Sequence, residues 1–349
     1  MRHPVVTEDL KEIAASELPF EELAGKTILV TGANGFLPAY LVELFLYLNE
    51  TRSGPKTQVL CLVRNKEKAT SRFAHYQGRP DLNFLVQDVC EPISIPGPVD
   101  YIIHAASHAS PKFYGKDPVG TLLPNVLGTH HLLELARKKN IKGFLFFSSA
   151  ETYGEINPLN IPTEETIYGL VNQMDIRSSY AESKRMGETM CMAWNAQYGV
   201  PIKIVRPFHT YGPGLPLSDG RVFSDFVGNI VEGRNIVMKS DGTASRAYCY
   251  LADATTGFLT VLLKGKDGEA YNVGNPSAEV SVLTLAKTLV TLFPEKNLEV
   301  IQTEVTRTGD YIPSKVSRTA PDISKLNKLG WKPHWSLTDG FRRTVLSFL

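Results

Sequence analysis

Long apolar runs are missing from this chain: no uninterrupted apolar stretch reaches the roughly 18 residues that a membrane-spanning helix requires. Cysteine is scarce as well. The four present, Cys61, Cys90, Cys191 and Cys249, lie far apart with no Cys-x-x-Cys pair. Neither a zinc knuckle nor a disulfide framework is expected, and buried thiols in a reducing compartment are. Excess charge of either sign is also lacking, because 37 Lys and Arg against 36 Asp and Glu leave a net charge of +1. Such a chain has no global field to draw nucleic acid or an anionic membrane surface, so any anionic ligand must be held by a local site. The histidines His104, His108, His130 and His131 have no trustworthy metal-ligand spacing, and no metal is expected. The first 26 residues contain acidic residues throughout and no apolar segment, unlike a signal peptide. A soluble cytoplasmic protein is the expectation.

What is present looks globular. Of 349 residues, 43% are hydrophobic and 21% charged, enough to build one large α/β domain or two lobes sharing a cleft. After a helix-like lead at Glu8–Ala15, the run Thr27–Thr31 has the β-branched content of a buried parallel strand. A glycine turn and a helical pattern over Ala39–Leu48 follow. Further strands are predicted at Gln58–Val63, Asn83–Gln87, Tyr101–Ala106, Gly143–Ser148 and Ile202–Val205, with helices at Val126–Lys139 and Ser179–Tyr198. This alternation specifies an α/β, Rossmann-type doubly wound parallel sheet. From Pro207 onward Gly, Pro and short mixed segments dominate, with a helix at Val282–Leu292 and a strand near Leu298–Gln302. That change predicts a smaller C-terminal α/β lobe that binds substrate. The expected division is an N-terminal extension at 1–26, a dinucleotide-binding domain at 27–206, and a lobe at 207–349 interleaved with it.

Three segments carry chemistry. The turn Thr31-Gly32-Ala33-Asn34-Gly35-Phe36-Leu37-Pro38 joins strand to helix, where glycines let backbone amides approach a pyrophosphate and the helix N-terminus stabilises its charge. Pro38 stands where such folds usually have a third small residue, a position a proline tolerates in the first helical turn. Tyr180-Ala-Glu-Ser-Lys184 places a phenol and an ammonium four residues apart, on one helix face, so that the cation can lower the tyrosine pKa and make it a base for a hydroxyl. Ser149 and Glu151 lie just past a strand end, facing the ligand crevice: Ser149 as a proton relay or a turn-forming hydroxyl, Glu151 as an acid/base or an exposed loop carboxylate. Arg64, at the end of the second strand, replaces the acidic residue common in NAD sites, leaving NAD and NADP both open, with a solvated arginine as the alternative. Asp88 is placed to meet an adenine edge or is a simple loop carboxylate.

These segments resemble the extended short-chain dehydrogenase/reductase family of NAD-dependent nucleotide-sugar epimerases, dehydratases and decarboxylases. The likeness runs through TGANGFLPAYL, HAASHASP, Asn125-Val-Leu-Gly128-Thr129, SSAETYG, SSYAESK, RPFHTYGPG, YLAD and NKLGWKP, over roughly residues 27–349. It implies a nicotinamide dinucleotide held by Gly32, Asn34, Gly35, Phe36, Leu37, Arg64, Asp88, Val89, Ala105, Ala106, Ser107, Asn125, Tyr180, Lys184, Pro207 and His209. It implies catalysis by Tyr180, Lys184, Ser149 and Glu151, and substrate contacts from Ser149, Glu151, Arg221, Arg246 and Arg318, the arginines meeting a diphosphate. Within the family, HAASHASPKFYGKDPVGTLLPNVLGT and SRAYCYLAD look most like the UDP-glucuronate decarboxylases, which oxidise carbon 4 of the sugar, lose the carboxylate and give UDP-xylose. A 4-epimerase or 4,6-dehydratase is the alternative, and a non-catalytic dinucleotide-binding sensor or scaffold a remote one. Ala150 cannot protonate a departing 6-hydroxyl, which disfavours 4,6-dehydration. Glu151 stands where 4-epimerases usually have a small residue. His209 replaces an asparagine usual before Tyr-Gly-Pro. The family's habit implies a homodimer through the helices at Val126–Lys139 and Ser179–Tyr198.

Overall fold

The computed structural model describes residues 2–238, 240–302 and 316–349. Seven parallel strands form the main sheet: β1 (Thr27–Thr31), β2 (Gln58–Val63), β3 (Leu82–Val86), β4 (Tyr101–His104), β5 (Gly143–Phe147), β6 (Ile202–Pro207) and, after the short β7 (His209–Tyr211), β8 (Ile236–Met238) and β9 (Ser245–Tyr250), the edge strand β10 (Glu269–Val273). Their spatial order is β10-β6-β5-β4-β1-β2-β3. Val30 therefore lies between Cys61 and Ile103, and the winding reverses between β1 and β4, where doubly wound sheets open a ligand crevice. β1, β4 and β5 are buried almost throughout, as sheets covered on both faces are.

The helices are α1 (Pro4–Ala14), α2 (Phe36–Thr51), α3 (Lys66–Arg72), α4 (Lys112–Lys116), α5 (Pro118–Leu123), α6 (Thr129–Lys139), α7 (Ser178–Tyr198), α8 (Val222–Val231), α9 (Leu251–Lys264), α10 (Val282–Leu292), α11 (Ser324–Asn327) and α12 (Leu337–Leu346). α2 begins three residues before its predicted start, because Pro38 sits inside the first turn, where a missing N–H leaves no bond unmade. It is apolar nearly all round and buried to match, packed between the sheet, α1 and α9. The helix predicted from Val126 is not continuous. Pro124–Gly128 forms a π turn ahead of α6, and a Cβ on Gly128 would stand 2.9 Å from Val89 Cγ1. The remaining expected elements are found within one to two residues at most ends, apart from the lead helix, which begins at Pro4.

The second lobe centres on β9, which pairs with β7 and β13 (Arg318–Thr319) in parallel and with β11 (Glu279–Ser281) in the opposite sense. β12 (Val300–Gln302) pairs with β8. Tyr211 stacks on Phe341 at 3.7 Å and 7°, joining β7 to α12. α9 and β10 return the chain to the main sheet.

The N-terminal residues are tied into both lobes. Asp9 of α1 is fully buried and accepts hydrogen bonds from Tyr40 Oη (2.5 Å), Tyr250 Oη (2.6 Å), Arg343 Nε (3.0 Å) and Arg343 Nη2 (2.6 Å). One carboxylate thus clamps α1, α2, β9 and α12. Removing it leaves a guanidinium and two phenols without their acceptor, so Asp9→Ala should lower the unfolding free energy by about 3–5 kcal/mol in urea titration. An unchanged midpoint would show that the clamp carries no stability.

Candidate active site

The glycine turn closes by a hydrogen bond from Gly35 N to Gly32 O (2.7 Å), with Gly32 at φ +62°. A Cβ there would stand 2.8 Å from Ala106 Cα, so only glycine lets the turn meet the loop after β4. Gly35 caps α2 and brings no side chain to its first amides. Thr31 Oγ1 accepts from Ala105 N (3.2 Å) and Ala106 N (3.1 Å), which leaves its proton for His104 Nδ1 at 2.9 Å. His104 Nε2 then donates to Thr129 Oγ1 (3.1 Å), and Thr129 donates to Asn125 O (2.6 Å). Burial, with the charge of Lys184 second, lowers His104 to about 3, so the ring is neutral and this proton order is fixed. Asn125 is itself fully buried, donating to Thr121 O and to Ser183 Oγ (3.0 Å) on α7.

At the outer end of the crevice Arg64 Nη2 lies 2.6 Å from His108 Nε2 and Arg64 Nη1 lies 4.0 Å from Asp88, whose other oxygen accepts from Cys90 N. Val89 is buried against the π turn. Asn34, Phe36, Leu37, Ala105, Ala106 and Ser107 border the glycine turn with partial exposure, and Pro207 ends β6 across the sheet.

The reacting end is built where β5 meets α7. Gly187 makes this possible: a Cβ there would stand 2.4 Å from Phe146 Cζ. Tyr180 is buried, and Ser149, whose hydroxyl oxygen accepts from Glu151 N at 3.2 Å, acts on its phenol. Burial raises Tyr180 to about 12, with Ser149 and the charge of Arg221 pulling down and that of Glu151 pushing up. Lys184 Nζ donates to Phe147 O at 2.6 Å and lies 5.8 Å from the Tyr180 ring centre. Burial lowers this lysine to about 7, opposed by Glu188. Glu188, one turn further along α7, accepts from Ser148 Oγ (2.5 Å) and is gripped by Arg206 Nε (2.8 Å) and Nη2 (2.7 Å).

Spacing puts Lys184 on the same helix face as Tyr180; its ammonium, 5.8 Å from the Tyr180 ring centre, donates to the β5 carbonyl, and the charge of Arg221, from the second lobe, also acts on the phenol. Arg221 is paired with Asp219. Glu151 is 39% exposed and lies 3.5 Å from Arg177, a residue that no sequence motif had marked. Its one sequence signal is its position three residues before Tyr180. Arg246 binds the carbonyls of Ser245, Val316 and Ser317, and Arg318 pairs with Glu279 through two bonds, at 2.7 and 2.9 Å. His209 lies among Phe223, Tyr248, Arg221 and Arg246; burial and the two arginines lower it to about 3, so its charge does not vary near neutral pH.

The model of the NAD dependent epimerase/dehydratase family matches residues 28–274. The chain is 34% identical over 314 residues to UDP-glucuronic acid decarboxylase 3 of Arabidopsis thaliana, covering 90% of this chain and 86% of that one. The chain belongs to the NAD dependent epimerase/dehydratase family. UDP-glucuronic acid decarboxylase 1 of Xenopus tropicalis is 32% identical over 324 residues, covering 93% of this chain and 72% of its own. Among solved structures, UDP-glucose 4-epimerase of Thermotoga maritima shares the fold at a TM-score of 0.78 and 24% identity, over 92% of this chain and 98% of that one. UDP-glucuronic acid 4-epimerase of Bacillus cereus does so at 0.75 and 22%, over 92% and 98%.

The residues present fit the dinucleotide that the family's name implies. The Gly32 cradle, the bare N-terminus of α2 and the buried Ser107 Oγ and His108 Nδ1, which have no hydrogen-bond partner among the described residues, all face the demands of a diphosphate and its riboses. Ser179 Oγ, His209 Nδ1 and Tyr248 Oη are likewise buried and unpaired.

The lysine supplies a check on this electrostatic picture. Folding depresses Lys184 from its ordinary 10.5 to about 7, so between those values the unfolded chain binds the extra proton and stability rises with pH. Lys184→Met should remove that rise. Urea titrations of both proteins from pH 7 to 10 should show wild type gaining on the variant, and parallel curves would contradict a depressed lysine.

Proposed function

We propose that this enzyme decarboxylates UDP-glucuronate to UDP-xylose, with NAD held throughout the cycle. The observation carrying the reading is the buried Tyr180 with Ser149 and Glu151 acting on its phenol, at the end of β5, in a chain about one third identical to proteins named UDP-glucuronic acid decarboxylase. Ala150 offers no acid for expelling a 6-hydroxyl, which argues against 4,6-dehydration. Gly32, Gly35 and the amides opening α2 would hold the diphosphate of NAD, and Arg64 with Asp88 would border its adenosine. When bound, the nicotinamide supplies an acceptor for the hydride of sugar carbon 4 and later its donor.

The protein's own residues manage protons and position. Tyr180 acts in its phenolate form, whose charge the Ser149 hydroxyl stabilises, and becomes the neutral phenol as it takes the proton of the 4-hydroxyl. Ketone formation at carbon 4 places the carboxylate beta to a carbonyl. The bond between carbons 5 and 6 then breaks, its electron pair enters an enolate, and carbon dioxide leaves. A proton from solvent water adds at carbon 5 and restores the ketone, and Tyr180 returns its proton to oxygen 4 at the close. Arg221, Arg246 and Arg318 are proposed to meet the nucleotide diphosphate from the second lobe.

Purified protein given UDP-glucuronate and NAD should release carbon dioxide and UDP-xylose. Tyr180→Phe should lower kcat by about 10²–10⁴-fold, the usual worth of a positioned proton acceptor. Unchanged turnover in that variant would sink the mechanism, and formation of UDP-galacturonate without carbon dioxide would establish an epimerase instead.

A second copy of the chain is the proposed partner. Leu127 on the π turn (41% exposed) and Met186 and Met192 on α7 (49% and 41%) present apolar surface on adjoining helices. Two such faces would pack as a four-helix bundle. Met186→Glu combined with Met192→Glu should give a monomer in sedimentation analysis where the wild type sediments as a dimer, and a monomeric wild type would refute the arrangement.

A further inference from the structure

Arg177 stands immediately before α7, its backbone N–H donating to Asp175 Oδ1 at 3.0 Å. Its guanidinium lies 5.6 Å from the centre of the Tyr114 ring and 3.5 Å from the Glu151 carboxylate, with its side chain 16% exposed. Tyr114 in turn stacks on Tyr180 at 5.1 Å and 14°. The Tyr114 ring thus touches both the cation and the phenol that receives the 4-hydroxyl proton. The charges of Glu151, Arg221 and Arg177 all act on Tyr114. Arg221 already faces Asp219 across a short contact.

A hexuronate whose 4-hydroxyl meets Tyr180 carries its carboxylate on the neighbouring ring carbon, and so brings it toward Glu151. Two carboxylates about 4 Å apart repel by roughly 4 kcal/mol at the polarity of a partly exposed site. A guanidinium between them reverses the sign of that interaction, and its planar fork of five donors lets one cation serve two acids. A neutral hexose, with a hydroxymethyl group at the same carbon, gains nothing from such a cation.

We propose that Arg177 binds the sugar carboxylate and thereby selects nucleotide hexuronates over neutral nucleotide hexoses. The inference rests on the reading that the substrate is a nucleotide hexuronate. Held by Arg177 from the Tyr114 side, the carboxylate is kept beside Glu151, where that acid's charge favours its departure as neutral carbon dioxide.

Calorimetric titration of the NAD-loaded protein with UDP-glucuronate and with UDP-glucose tests this. Arg177→Gln should weaken UDP-glucuronate binding by about 10–100-fold, the worth of a charge-assisted hydrogen-bond pair, with UDP-glucose changed less than about twofold. Arg177→Lys should recover part of the loss. Glu151→Gln, which removes the competing acid, should tighten UDP-glucuronate alone. Equal weakening of both ligands by Arg177→Gln, or no weakening of either, overturns the proposal. Failure of the underlying reading looks different: wild-type protein would then bind UDP-glucose at least as tightly as UDP-glucuronate and release no carbon dioxide from the latter.

Discussion

The site depends above all on how closely α7 can lie against the end of β5. Gly187 allows the helix to rest against the Cζ end of the Phe146 ring, and everything chemical on α7 is delivered by that contact. Two buried polar connections then lock the register. Lys184 reaches the Phe147 carbonyl, and Glu188 bridges Ser148 to Arg206 on β6. Breaking a buried ion pair of this kind from one side costs about 3–5 kcal/mol, so the seam has little freedom to slide. Tyr180 is thereby set beside Ser149, and a shift of one residue along either element would separate the two hydroxyls.

A second chain of hydrogen bonds transmits the same precision to the glycine turn. It runs from the amides of Ala105 and Ala106 through Thr31, His104 and Thr129 to the carbonyl of Asn125, whose side chain reaches Ser183 on α7. His104 works here as a neutral, directional connector, since burial keeps it unprotonated. The glycine turn and the Tyr180 end of the crevice are thus joined by side chains hydrogen-bonded to one another.

Charge follows the same logic. With a net charge of only +1, the chain cannot attract anions at long range, and its cations are spent locally: Arg221 and Arg177 near the phenol, Arg64 against Asp88, Arg343 on Asp9. Each is paired with an acid in the folded protein. Binding an anionic ligand at the reacting end therefore means sharing a cation between two acids rather than filling an isolated positive pocket.

Much of this was legible along the chain. The run from Thr27 to Leu37 determined strand, turn and helix because glycine and β-branched residues have local conformational preferences. The spacing of Tyr180 and Lys184 put both on one helix face, since a helix repeats every 3.6 residues. What spacing could not say is where each side chain turns, or which distant residue meets it. Arg177 has no motif of its own; it meets Glu151 because the start of α7 packs against the turn that follows β5. Arg221, more than 40 positions from Tyr180, became the charge acting on the phenol through the packing of the second lobe. Asp9 looked like one acid in a polar lead, yet the tertiary structure buries it beneath Tyr40, Tyr250 and Arg343. Local geometry is written in neighbouring residues, whereas burial and partner choice arise only when segments hundreds of residues apart exclude water together.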